Sequence, residues 1–392
     1  MYFTYRFFFF FDIIKTKVYN LNKSNKGDDM NEKELMILKL IRQNPFLSQQ
    51  EMAEELNMSR PALANIISGL TRQGKIVGRA YILPEENEVI CIGGANMDRK
   101  FHIKGKAQLG TSNPAAVTQS IGGVTRNIAE NLGRLGHHVS LLTGAGKDSD
   151  WNAIKEASAS YMNVSNVEQF QSASTGSYTA VLDEQGEMLL AVANMDVYDL
   201  LVPELLMKHE ATMSNAACIV MDLNCPKETI ESIKELALVR QIPFVLIPVS
   251  SPKMDRMPKD LNGVTWFICN RDEAETYLDS TITSEEDWKK AVQALLEKGA
   301  ENVVITAGSK GVYAASKDLP VKSYAAIQID HVEDVTGAGD AFVGALLHSW
   351  ILQEPFAENI QNGLMNAAKT LQSAFTVRPE LSANKLKNEL EE

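Results

Sequence analysis

The stretch Asp334-Val-Thr-Gly-Ala-Gly-Asp340-Ala-Phe-Val-Gly344 is the most informative in the chain. Gly337 and Gly339 have no side chains, so the backbone N–H groups of Gly337, Ala338 and Gly339 stand open to a ligand. Phe342, Ala345 and Leu346 then fall on one face, which predicts a helix beginning near Ala338. A small-residue loop feeding a helix N-terminus is an anion site, because free N–H groups and the positive end of the dipole point outward together. Asp340 falls in the first turn of that helix. A carboxylate beside a bound phosphate is repelled by it unless it serves chemistry, and accepting the proton of an attacking hydroxyl is the chemistry it suits. No Lys-Ser/Thr pair follows the glycines, so the loop is not of the Walker type.

Three clusters upstream share this character. Ile121-Gly122-Gly123-Val-Thr-Arg-Asn127 precedes an apolar helix and supplies a second glycine pair for close approach. Cys91-Ile-Gly-Gly-Ala-Asn96-Met-Asp98 ends a run of strand character with two polar side chains suited to hydroxyls, and Thr306-Ala-Gly308-Ser-Lys-Gly311 ends another. Strand-like runs at 89–92, 139–143, 219–221, 244–247, 265–268 and 303–306 are interleaved with helical stretches at 127–135, 151–161, 227–240, 272–278 and 285–298. Such alternation predicts an α/β domain, a mainly parallel central sheet with helices on both faces. Ligands of open α/β sheets bind beyond the carboxyl ends of the strands, where the Asn96 and Thr306 clusters lie. Residues 178–182 and 188–192, joined through Asp183-Glu-Gln-Gly186, read as a β-hairpin and therefore as a small separate sheet, a lid over the site.

The amino-terminal part is different. Residues 1–29 are rich in Phe, Tyr, Asn and Lys, and their apolar run is broken by Asp12 and too short to span a bilayer. They read as a non-structural extension, with the domain sequence opening near Met30. From there Leu35, Leu38 and Ile41 mark one helical face, Ser48-Gln-Gln-Glu51 fits a capping box, and Ser59 caps a third helix with Pro61 in its first turn. A hairpin with Gly78 at its turn is expected over 75–83. Residues 30–84 carry seven basic and five acidic side chains in a chain whose net charge is −12, and no acid lies among Arg60, Arg72, Lys75 and Arg79. Three short helices and a hairpin resemble a winged helix-turn-helix, which implies a third helix placed in the major groove of DNA. A helical bundle for protein contacts is the alternative. The four cysteines form no C-x-x-C pair and read as buried reduced thiols of a cytoplasmic protein.

Together, G-G-x-x-x-N near the domain start and D-x-T-G-A-G-D near its end resemble the PfkB, or ribokinase-like, carbohydrate and nucleoside kinases over about residues 88–385. The resemblance implies that Asp340 is the catalytic base and that Gly337, Ala338 and Gly339 hold the transferring phosphoryl. It places Asn96, Asp98, Gly122, Gly123 and Asn127 on the acceptor side. Asn270 and Glu273, of an N-x-x-E motif, fall with Thr306, Gly308 and Gly311 on the side of ATP and Mg²⁺. It also links Asp334 and Thr336 to a monovalent cation such as K⁺, and implies a homodimer through the hairpin sheet. The segments 176–183 and 190–199 resemble the lid of bacterial pseudouridine kinases, which implies pseudouridine as acceptor, with Asn194 and Asp196 at the base. Ribose, fructose or another nucleoside, or a ligand-sensing transcription regulator, are the alternatives.

Overall fold

The computed structural model describes residues 30–77 and 88–391. The chain divides into two compact units between Leu83 and Pro84. In the first, helices Glu32–Gln43, Gln49–Glu55 and Arg60–Arg72 enclose a small core of Ile37, Ile41, Met52, Leu63, Ile67 and Leu70. Ser48 and Glu51 form the expected capping box, Ser59 caps the third helix, and an unexpected second box joins Asn31 to Glu34. Leu35 is a correction. It is 48% exposed, because Ile37, Leu38, Leu40 and Ile41 already fill the inward stripe. The expected hairpin with Gly78 and Arg79, the joint at 85–87 and residues 1–29 lie outside the described residues.

The second unit has fourteen strands among the described residues. In chain order they are β1 (Val89–Ile92), β2 (Asn96–Ile103), β3 (Ala115–Gly122), β4 (Val139–Leu142), β5 (Gly144–Gly146), β6 (Glu168–Phe170) and β7 (Ser177–Leu182). There follow β8 (Met188–Asn194), β9 (Cys218–Asp222), β10 (Phe244–Ile247), β11 (Trp266–Asn270), β12 (Asn302–Thr306), β13 (Val312–Ser316) and β14 (Leu319–Tyr324). Eight form one sheet in the order β14-β13-β12-β11-β10-β9-β1-β4, parallel from β12 to β4 and antiparallel at the β13–β14 edge.

The period of two in each buried strand divides its side chains between two cores. Ile90, Ile219, Met221, Phe244, Leu246, Phe267 and Val303 pack with helices Lys227–Arg240 and Glu285–Glu297. Val89, Cys91, Val220, Val245, Trp266 and Val304 pack on the other face with helices Val124–Arg134, Ser149–Ser158, Ala338–Ile351 and Phe356–Leu371. Lys227–Arg240 and Glu285–Glu297 bury one stripe each, whereas Val124–Arg134 and Ala338–Ile351 are buried without a gap over 125–132 and 341–349.

The hairpin β7–β8 belongs to a four-stranded sheet, β3-β2-β7-β8. Its other two strands were not anticipated. Asn96–Ile103 mixes charged and apolar residues that stay partly exposed, and Ala115–Gly122 is uncharged and mostly exposed, so no clean alternation marks them.

Helices Val124–Arg134 and Ala338–Ile351 cross closely at Gly344, where a Cβ would stand 2.5 Å from Asn131 Cβ. A buried polar chain fixes this crossing. Asn366 Nδ2 donates to Asn131 Oδ1 and to the Ala341 carbonyl, each at 2.9 Å, and its Oδ1 accepts from Arg378 Nε at 2.9 Å. Arg378, fully buried, then pairs with both oxygens of Glu389 at 2.7 Å, tying down the last helix, Ala383–Glu391. Removing one member of a buried pair strands the other charge, a loss of about 3–5 kcal/mol. Glu389→Leu is expected at the lower end of that range, read as a reduced urea midpoint, since the exposed Glu380 carboxylate 3.8 Å from Arg378 offsets part of it.

Candidate active site

The site is assembled at the carboxyl ends of β1 and β9, and one buried carboxylate does most of the assembling. Asp222, at the end of β9, is wholly enclosed. Its Oδ2 accepts the N–H groups of Gly94 at 2.9 Å and Thr125 at 3.2 Å, and its Oδ1 accepts that of Asn224 at 2.9 Å. The loop after β1, the first turn of the Val124–Arg134 helix and the β9 terminus are thereby held on one side chain. Gly93 has to be glycine here: its φ is +149°, and a Cβ would collide with Asp222 and with the Thr125 hydroxyl. Tyr198, also fully buried, closes the loop from the far side. Its hydroxyl donates to the Ala95 carbonyl at 2.6 Å and accepts the Ala95 N–H at 2.9 Å.

This loop delivers Asn96 and Asp98 on β2 opposite Gly122 and Ser120 on β3. Asn96 Nδ2 donates to Asp98 Oδ1, and a Cβ at Gly122 would strike Asp98. Burial pushes Asp98 up to about 6, against the Asn96 hydrogen bond and the Lys100 charge that hold it down. Gly123, with φ +102°, starts the Val124–Arg134 helix with no side-chain cap. Four residues on, Asn127 Nδ2 donates to Asp340 Oδ2 at 2.9 Å, while its Oδ1 accepts from Arg126 Nη1 at 3.2 Å. Arg126 is itself buried and fixed by Glu130 and the Ser158 hydroxyl, so the Asn127 amide has one orientation.

Asp340 stands in the first turn of Ala338–Ile351, whose N-terminal residue Gly337 (φ +84°) also lacks a side-chain cap. No side-chain cap covers the helix start at Gly337, whereas at the Gly123 start the Thr125 and Arg126 N–H groups are already taken by Asp222 Oδ2 and the Gly94 carbonyl. Burial raises Asp340 to about 7; the Asn127 amide opposes this, and the charges of Asp222 and Asp98 add to it. A carboxyl so placed exchanges its proton near neutrality, which is what a general base requires.

The structure brings Asn96, Asp98, Gly122, Gly123, Asn127 and Asp340 into one contact set. A second set forms at the ends of β11 and β12, where Asn270 and Thr306 are register partners. Asn270 and Glu273 make a reciprocal capping box: Asn270 Oδ1 accepts the Glu273 N–H at 2.9 Å, and Glu273 Oε2 accepts the Asn270 N–H at 2.8 Å. Gly308 (φ +58°) and Gly311 (φ +97°) turn the chain from β12 into β13. Asp334 and Thr336 bond each other, and Asp334 also bonds Lys100 of β2. Asn194 and Asp196 are not joined to either set among the described residues. Asn194 donates to the Ser174 hydroxyl at 3.0 Å, and Asp196 is exposed at the start of the 3-10 turn Asp196–Leu200. In the first unit, Arg60 and Arg72 are exposed at the two ends of the third helix, with Lys75 half-buried beyond it; Arg79 lies outside the described residues.

Asp222, Tyr198, Arg126 and Lys100 are absent from the sequence reading. A lone acid ending the apolar run Cys218–Asp222 is the one local signal that points to any of them.

Residues 86–382 match the model of the pfkB family carbohydrate kinases, and residues 30–77 match that of a winged helix-turn-helix DNA-binding domain. The chain is 30% identical to the "Uncharacterized sugar kinase YeiI" of Escherichia coli, over 91% of this chain and 98% of that protein. It is 31% identical to the pseudouridine kinase of the same organism, over 76% of this chain and 95% of that one. Arabidopsis thaliana ribokinase, solved with ribose and ATP, superposes with a TM-score of 0.70 at 17% identity, covering 78% of this chain and 99% of that one.

Asp222→Asn tests the assembly. An amide cannot accept on its nitrogen, so at least one backbone N–H loses its partner. Hydrogen bonds to charged groups contribute about 1.5–3 kcal/mol, and a loss of that size in a urea titration is expected.

Proposed function

The chain belongs to the pfkB family of carbohydrate kinases, phosphotransferases acting on an alcohol group, and from that premise we propose that it transfers the γ-phosphoryl of ATP to the 5′-hydroxyl of pseudouridine. The observation that carries the catalytic part is the contact between Asn127 and Asp340, which joins the acceptor side to the base. Asp98 and Asn127 hold ribose hydroxyls. The acceptor's 5′-oxygen then lies between Asp340, which takes its proton, and the outward N–H groups of Gly337, Ala338 and Gly339, which bind the charge on the transferring phosphoryl. The small sheet excludes water from this point. Asn194, which ends β8, and Asp196, just beyond it, contact the base of the nucleoside when the small sheet covers the site.

ATP lies across the ends of β11 and β12 against Thr306, Gly308 and Gly311. Mg²⁺, when bound, neutralises the charge between the ATP phosphates. Such an ion keeps several waters and takes few protein ligands, which fits this site: Glu273 uses only one carboxylate oxygen in its cap. The kinase is proposed to be cytoplasmic, in keeping with four buried free cysteines and with no helix among the described residues long and apolar enough to cross a membrane. A homodimer through the four-stranded sheet is supported by exposed Val117, Met188, Leu190 and Val192 and by the open edge of β8.

Purified protein assayed with ATP against pseudouridine, uridine, adenosine, ribose and fructose is expected to favour pseudouridine; preference for another acceptor discards that substrate and leaves the kinase. Asp340→Asn is expected to lower turnover about 10²–10⁴-fold with little change in substrate affinity. In the wild type, kcat/KM should fall on the acid side with a midpoint near 7, as Asp340 gains its proton. Near-normal turnover of Asp340→Asn would remove Asp340 from the mechanism.

The match of residues 30–77 favours a second activity, binding of duplex DNA. In the full chain, replacing Arg60, Arg72, Lys75 and Arg79 by Ala is expected to abolish salt-sensitive DNA binding and leave phosphorylation unchanged. Binding that ignores both salt and these substitutions would point to protein contacts instead.

A further inference from the structure

We propose that the ammonium group of Lys100 takes the place of a monovalent cation at Asp334, so that phosphoryl transfer by this chain does not depend on K⁺. The inference rests on the kinase reading above. The resemblance to the family implies a cation at Asp334 and Thr336, and the charge such an ion would balance is already met by Lys100. Asp334 Oδ1 already accepts both the Thr336 N–H at 2.9 Å and the Thr336 hydroxyl at 2.7 Å. Oδ2 accepts Lys100 Nζ at 2.9 Å. Both oxygens of the carboxylate are thus engaged, and its charge is balanced from within the chain.

The position of this charge matters. Asp334 lies three residues before Gly337, and an unbalanced carboxylate there would repel the phosphoryl that the glycine loop has to hold. An ammonium ion and K⁺ carry the same charge and are of similar size, so either can cancel that repulsion. Lys100 is placed to do so permanently. It is two residues from Asp98 on β2, hence on the same face of the strand, and β2 lies inside the four-stranded sheet between β3 and β7. The acceptor-binding carboxylate and the balancing cation therefore come on one strand, and the pair links that strand to the anion loop. The two side chains are 36% and 31% exposed, so the pair adds little to stability, and its role is the placement of charge.

The test compares full-length wild type, Lys100→Met and Lys100→Arg in KCl, NaCl and choline chloride at equal ionic strength. Two quantities are read: the initial rate with ATP and the best acceptor, and the melting temperature with a non-hydrolysable ATP analogue. For wild type, rate and melting temperature are expected to be the same in the three salts. For Lys100→Met, the rate in choline chloride should fall roughly tenfold, the effect of one charge at intermediate dielectric, and KCl should restore it while raising the melting temperature. Lys100→Arg should keep the rate in all three salts. A K⁺-specific gain in rate or melting temperature of wild type overturns the proposal. So does a Lys100→Met protein that equals wild type in choline chloride, or one that melts cooperatively but is not rescued by K⁺. If Lys100→Met does not fold, wild type and Lys100→Arg decide. If no acceptor is phosphorylated by wild type, the kinase reading fails, and the melting temperatures still show whether K⁺ binds.

Discussion

A single carboxylate buried away from bulk solvent governs this site. Asp222 ends a fully apolar strand, and every hydrogen bond it accepts comes from backbone. A buried charge is tolerated only when hydrogen bonds replace its hydration, so the loop after β1 and the start of the Val124–Arg134 helix have to come to it. That requirement excludes side chains at Gly93, aims Asn96 and Asp98 toward Gly122, and sets the turn from which Asn127 reaches Asp340. The same charge, through the low-dielectric interior, adds to the pressure that keeps Asp340 near neutrality. One acid organises the site, and another is the base of the proposed mechanism.

The layered arrangement explains how such a charge is kept in place. On one face of the large sheet the helices are simple covers. On the other, Val124–Arg134 and Ala338–Ile351 cross at Gly344 and are locked by the Asn131–Asn366–Arg378–Glu389 chain. Their first turns meet at the Asn127–Asp340 contact, so the separation of the Asp340 carboxylate and the Asn127 amide is set by a helix crossing and not by a loop.

Much of this was legible in the sequence. The six apolar strand runs of the large domain, helices such as Lys227–Arg240, the Ser48–Glu51 box and the glycine loop before Asp340 are local patterns, each enforced by burial or by capping within a few residues. What was not legible depends on distant partners. Strands β2 and β3 exist because they pair with each other and β2 pairs with β7; neither the half-exposed, partly charged β2 nor the mostly exposed β3 shows a clean alternation. Arg126, Glu130 and Arg134 look like a solvated helical face, yet Arg126 and Glu130 are buried, because each finds its counter-charge on the same helix. Lys100 and Asp334 are 234 residues apart in sequence. Asn194 and Asp196 differ: a segment resemblance pointed to them, and among the described residues no polar contact joins them to Asp98 or Asp340.

The reciprocal cap between Asn270 and Glu273 bears on how descent can be read from this motif. Each side chain gives one oxygen to starting one helix, whatever lies beside it. Purifying selection on folding alone would preserve the pair, and a descendant that had ceased to phosphorylate anything would still display it. The spacing N-x-x-E is consequently a record of architecture, and its persistence across a lineage is no measure of retained catalysis. Asp340, bonded among the described residues to Asn127 alone, has no such part in starting its helix, so under the proposed mechanism its loss or retention is the more faithful marker.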